Sequence, residues 1–266
     1  MEQTPPILEF FDDKPVISPL TMQDKPVILA PQIKTAICTF LCENNDHTIL
    51  EPILANSHLL FYVYGRTGKI PVFQYKDECL IVLMTVGSPV AVAVVEYLKC
   101  IGIENIIAYG TAGLLDERVP DTACVLIEKA IRDDGASYHY LPASVYVETD
   151  KHLTDWLECF LCNRQMQVVR GITWTTDAMF RETSAQVARR RQQGAVTVEM
   201  ECAGFAAACL RLKMRFAEFV FFSDTLVDVK NWHMFGDKEQ HNERRSLKVV
   251  LLQSLLNAVQ KINLPN

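Results

Sequence analysis

Short apolar runs that alternate with helix-patterned segments are the feature that most constrains this chain. His58–Tyr64, Val72–Tyr75, Leu80–Val86, Asn105–Tyr109, Ala123–Ile131, Gln167–Ile172, Val196–Met200 and Phe216–Phe222 read as strands. Val27–Ala30 reads as one more. Between them, Ile33–Leu41, Ala91–Ile101, Lys151–Cys162, Thr183–Gln193, Cys202–Leu212 and His241–Ile262 carry apolar residues at helical spacing or a polar helical composition. Nearly unbroken apolar strands separated by helices predict a largely parallel sheet covered on both faces. The expected fold is a single α/β domain over residues 1–266. It has a central mixed, mostly parallel β-sheet flanked by helices on both faces, and residues 1–25 form an N-terminal extension. In such sheets ligands bind beyond the carboxyl ends of the strands, so the residues just past each run carry the functional information.

Composition removes several classes of function. The 266 residues are 49% hydrophobic and 22% charged, as in ordinary globular proteins. The net charge of −6 opposes nucleic-acid binding, which needs a basic field. The N-terminus has neither the basic nor the apolar region of a signal peptide, and no run approaches the ~18 residues of a membrane span. A cytoplasmic protein with no membrane partner is expected. The nine cysteines are an odd, scattered set that reads as small core residues in a reducing compartment. Cys159 and Cys162 form one CxxC without a second pair, and the six histidines show no metal spacing. The triple cation Arg189–Arg191 reads as a solvated helix face.

No GxGxxG, GxxxxGK[ST], GxSxG or HExxH is present, which removes sequence support for dinucleotide redox chemistry, P-loop hydrolysis, serine hydrolysis and zinc catalysis. The segments at the strand ends are more informative. Gly87-Ser88-Pro89 and Gly110-Thr111-Ala112-Gly113 are loops that let a ligand approach the backbone, or simply tight turns. Glu199 and Glu201, two apart on an extended segment, point to one side and can grip vicinal hydroxyls, or they cap the next helix. Ser223-Asp224 ends a buried strand, where an Asp can act as a general acid or terminate a turn. Trp174, in Trp174–Asp177, is a stacking platform for a heterocycle or a core residue with its N–H satisfied. The polar, aromatic stretch Arg132–Tyr140 either lines a site or is a solvated loop.

Together these residues resemble the nucleoside phosphorylase family of the purine-nucleoside and uridine phosphorylase type, from Val27 to about Arg245. The most specific parts are Val198-Glu199-Met200-Glu201 and, further on, Ser223-Asp224. Arg132–Leu141 and Thr173–Thr183 are similar to a bacterial branch of uncharacterised members. The resemblance implies phosphate-dependent cleavage of a nucleoside, with a purine as the expected base, to free base and ribose 1-phosphate. Inorganic phosphate is then the co-substrate and no cofactor or metal is needed. Hydrolysis by water or non-catalytic nucleoside binding are the alternatives.

It also implies residue roles. Asp224 protonates or hydrogen-bonds the leaving base, and Ser223 stands beside it. Glu201 holds the ribose hydroxyls, and Glu199 and Met200 line the ribose and base pocket. Thr111, within Gly110–Gly113 and beside Ala112, contacts phosphate and ribose, and Gly87 flanks the site. Trp174 stands against the base. Arg66 reaches a neighbouring subunit's phosphate site, Arg244 supports the acid, and Lys34 is the one cation available to the first loop. A homo-oligomer, dimer or hexamer, is implied by the resemblance as well. Two departures weaken the phosphate grip: the first loop, Ala30–Lys34, has no Arg, and Ala108 stands where the family's phosphorylases place one. Lys is a point charge where Arg grips phosphate bidentately.

Overall fold

The computed structural model describes residues 5–22, 27–41, 43–63, 70–235 and 238–262. The strands are β1 (Thr35–Thr39), β2 (Ser57–Val63), β3 (Ile70–Tyr75), β4 (Cys79–Leu83), β5 (Asn105–Leu114), β6 (Cys124–Asp133), β7 (Tyr146–Glu148), β8 (Val168–Thr176), β9 (Ala195–Glu199), β10 (Arg215–Thr225) and β11 (His233–Met234). The helices are α1 (Pro19–Met22), α2 (Glu43–Leu54), α3 (Ser88–Cys100), α4 (Lys151–Cys162), α5 (Ser184–Gln192), α6 (Cys202–Arg211) and α7 (Lys238–Ala258). All strands join one mixed sheet. Its longest ladders, β5–β10 and β6–β8, are parallel. β10 pairs with both β5 and β6, and β8 and β9 link β6 back to β5, so these five strands close on themselves. β1, β4, β3 and β2 extend from β5 as an open wing.

Both faces are covered, as the apolar strands require. Val94, Leu98 of α3 and Phe205 of α6 pack with Ile106, Phe216 and Val220 on one side. Leu50 of α2, Leu157 and Leu161 of α4 and Leu252 and Leu256 of α7 pack with Ile37, Ile107 and Phe219 on the other. Each such side chain, fully buried, contributes roughly 1.5–3 kcal/mol. α4 begins where Asp150 accepts a hydrogen bond from the Leu153 N–H, an N-cap that satisfies one free donor of the first turn.

Several expectations change. Ile33–Leu41 is not a helix: it contains β1, whose five residues are all buried between β4 and β5. A strand buried on both faces loses its alternation, so its apolar spacing mimics a helix. Val27–Ala30 forms no strand. Gly110–Gly113 is not a loop but the second half of β5, paired throughout with Val220–Asp224. Of the triple cation, Arg189 is exposed as expected, but the other two are not solvated. Arg190 pairs with Asp133 at 2.7 Å, and Arg191 donates to the Leu226 and Val227 carbonyls. Arg132 is buried and donates to Ser137 Oγ, Ser144 Oγ and the Leu141 and Pro142 carbonyls, so the polar stretch around it is braced from inside. Cys159 and Cys162 are free thiols exposed on α4, and no group of His, Cys, Asp and Glu among the described residues is arranged to hold a metal.

Candidate active site

A cavity of about 560 Å³ opens where β5, β9 and β10 end. Glu199, Met200 and Glu201 enter it from the β9–α6 junction, Gly110–Gly113 from β5, and Ser223 and Asp224 from β10. Two stretches far apart in sequence therefore meet in one cleft. The β5–β10 ladder slips by one residue between Phe222 and Asp224, which brings Asp224 into register with Gly113. Bulges of this kind re-aim side chains at strand ends. A Cβ on Gly113 would stand 2.8 Å from Leu226 Cδ1 and 2.9 Å from Val198 Cγ1, so any larger residue there makes these side chains shift.

The two glutamates differ in role. Glu199 accepts four hydrogen bonds. Its Oε1 takes the Thr175 hydroxyl at 2.5 Å and the Thr173 hydroxyl at 3.2 Å, and its Oε2 takes the Glu201 and Cys202 N–H groups at 2.7 Å. It anchors the first turn of α6, as a helix-capping carboxylate would. Glu201 accepts from the Gly87 N–H at the start of α3. Gly87 holds φ at +112°, a conformation that L side chains rarely adopt. Burial, then the Glu199 charge, pushes the Glu201 carboxyl up to about 8. Asp224 accepts from Ser223 Oγ at 2.6 Å on Oδ1 and from Trp232 Nε1 at 2.8 Å on Oδ2.

Several candidates lie elsewhere. Trp174 is fully buried with Leu115, Val187 and Leu226, and its N–H donates to Asp133 Oδ2 at 2.9 Å. It is a core residue, and the neighbouring Thr173 and Thr175 serve Glu199 rather than a base. Lys34 precedes β1, ion-pairs with Glu104 at 2.8 Å and sits at the amino ends of the strands, opposite the cavity. Phe40, immediately after β1, lines the cavity instead. Gly87 acts through its N–H. Arg66 lies outside the described residues, and Arg244 is on α7 with its side chain outside them.

Met179 and Phe180, in the segment that the resemblance sets on the base side, complete the lining together with Glu182, Glu218, Trp232 and Met234. Phe180 is 94% exposed and Trp232 58%, an apolar mouth with aromatic planes. Glu218 interrupts the apolar run of β10. It is buried beside Ala108, with its Oε2 unpaired, and burial together with Glu199 and Glu201 raises its carboxyl well above the usual range. Trp232 and Glu182 stand in irregular segments, where neither period nor flanking residues single them out.

A cavity with acidic groups at the strand ends of an α/β sheet is where such sheets bind ligands, and comparison with known proteins gives the family. Residues 50–256 match the phosphorylase superfamily, and the chain belongs to it. An uncharacterised protein of Acanthamoeba polyphaga mimivirus is 28% identical over 244 residues, covering 86% of this chain and 91% of its own. Among solved structures, purine nucleoside phosphorylase of Toxoplasma gondii superposes with TM-score 0.69 at 15% identity, covering 90% of this chain and all of that one (100%). Uridine phosphorylase of Vibrio fischeri gives 0.67 at 19%, covering 87% and 90%. The 5′-methylthioadenosine/S-adenosyl homocysteine nucleosidase of Campylobacter jejuni gives 0.68 at 18%, covering 86% and 100%. The fold therefore hosts both phosphorylases and nucleosidases.

Proposed function

We propose that this protein cleaves the N-glycosidic bond of a nucleoside, with a purine as the expected base and water as the acceptor. The observation that carries the reading is that Glu201 and Asp224, delivered by separate elements, line one cavity with an aromatic mouth. Glu201 supplies an acceptor for ribose hydroxyls, and Asp224, held by Trp232, faces the base. Breaking the bond builds positive charge on the sugar ring, which nearby carboxylates stabilise. Protonation or hydrogen bonding makes the base a better leaving group.

Charge selects the acceptor. Glu182, Glu199, Glu201, Glu218 and Asp224 line the cavity, and no Lys, Arg or His does among the described residues. Without a facing cation among the described residues, nothing in the cavity neutralises a phosphate dianion, whereas water needs no cation. Phosphorolysis, which the resemblance puts first, needs cations from Arg66 or Arg244. A homo-oligomer, dimer or hexamer, in the cytoplasm completes the reading, and light scattering after gel filtration tests the assembly.

The deciding experiment is base release from a panel of purine and pyrimidine nucleosides, with and without inorganic phosphate. Full-rate release in phosphate-free buffer, with free ribose as product, is expected. Strict phosphate dependence with ribose 1-phosphate as product replaces water by phosphate as acceptor, and no release from any nucleoside overturns the function.

A further inference from the structure

The two carboxyl groups at the aromatic end of the cavity are not equivalent. Asp224 has a donor on each oxygen, Ser223 on one and Trp232 on the other. Both of its oxygens are therefore taken up by donors of the protein itself. Glu182 comes just after the turn Met179–Arg181 and lines the same cavity. It is half-buried, and its carboxyl makes no hydrogen bond among the described residues. Of two neighbouring acids, the one whose oxygens are not engaged is the one free to turn toward a ligand in the cavity.

We propose that Glu182, rather than Asp224, is the catalytic acid that protonates the departing base, while Asp224 stays held by Ser223 and Trp232. This rests on the reading of the protein as a nucleoside-cleaving enzyme. Burial, and then the Asp224 charge, brings Glu182 up to about 7, so it carries a proton through the lower half of the neutral range. In the reaction the bond from C1′ to the base nitrogen breaks, and its electron pair stays on the base. The Glu182 proton adds to the base. Water adds to C1′ and releases a proton to solvent, and solvent returns one to Glu182. The sum is nucleoside plus water giving base plus ribose.

The test compares wild type with Glu182→Gln, Glu182→Asp and Asp224→Asn on inosine and on 4-nitrophenyl β-D-riboside, whose leaving group departs without a proton. The wild-type kcat/KM for inosine is expected to fall as pH rises through about 7. Glu182→Gln removes that limb and lowers inosine cleavage by roughly 100-fold or more, the usual worth of general acid catalysis. The nitrophenyl-to-inosine rate ratio rises by the same factor, and Glu182→Asp recovers part of the loss together with the limb. In 13C NMR of the unliganded protein, the Glu182 carboxyl titrates at lower pH in Asp224→Asn. Equal losses on both substrates, or a limb retained in Glu182→Gln and lost in Asp224→Asn, overturn the proposal and leave the parent reading standing. A wild type that cleaves neither substrate nor any other nucleoside of the panel overturns both.

Discussion

Glu201→Gln tests the electrostatics of the cavity through stability alone. The Glu201 side chain is 6% exposed and shares the start of α6 with Glu199. Its carboxyl is pushed from 4.5 to about 8, first by burial and then by the Glu199 charge. Between those two values the folded protein holds a proton that the unfolded chain has released. Stability therefore falls as pH rises across that window and levels off above about 8. At about 1.4 kcal/mol per pH unit, the fall is roughly 5 kcal/mol at most. Glutamine keeps the oxygen that accepts from Gly87 and never charges. The variant should match wild type near pH 5 and exceed it near pH 8.5. For a domain of this size ~1 kcal/mol moves Tm by about 2–4 °C, so the gap should reach about 10 °C. Differential scanning calorimetry from pH 5 to 9 reads it directly. Parallel Tm–pH curves for the two proteins would refute the reasoning, because they would mean that Glu201 is charged without penalty in the fold. The same variant should lose nucleoside cleavage, so the gain in stability comes at the expense of the site.

Three other outcomes are expected from the same geometry. Glu199→Gln turns an NH₂ group toward donors that an oxygen now accepts, and should cost roughly 2–4 kcal/mol in urea unfolding at pH 7, since it leaves buried donors unpaired. Trp232→Phe keeps an aromatic ring at the mouth but removes one donor from Asp224. The expected loss is about 1 kcal/mol of orientation, seen as a roughly 5-fold lower kcat with KM unchanged in steady-state kinetics. Gly113→Ala forces a methyl against Val198 and Leu226 and should lower stability by about 1–3 kcal/mol in thermal melts, while displacing the neighbouring Asp224 enough to reduce turnover.

The architecture was legible because buried strands and amphipathic helices leave periodic traces. α4 coincides with its predicted bounds, Lys151–Cys162, since its apolar face repeats cleanly and Asp150 marks its start. β1 misled because burial on both faces erases alternation. β5 and β10 run further than their apolar stretches, since small and polar residues at Gly110–Gly113 and Ser223–Thr225 still pair along the ladder.

The acidic groups near 201 and 224 were visible as residues that break an apolar run just where α/β sheets expose their strand ends. Their division of labour was not. Which glutamate caps α6 and which faces the cavity depends on where Thr173, Thr175 and Gly87 place their donors, and those come from other elements. Likewise, a tryptophan's position in sequence says nothing of whether packing buries it, as with Trp174, or leaves it against Asp224, as with Trp232. The order of residues sets local periodicity, and hence the elements. Contacts between distant elements set burial, charge proximity and hydrogen-bond partners, so only the folded chain decides which carboxyl keeps its proton.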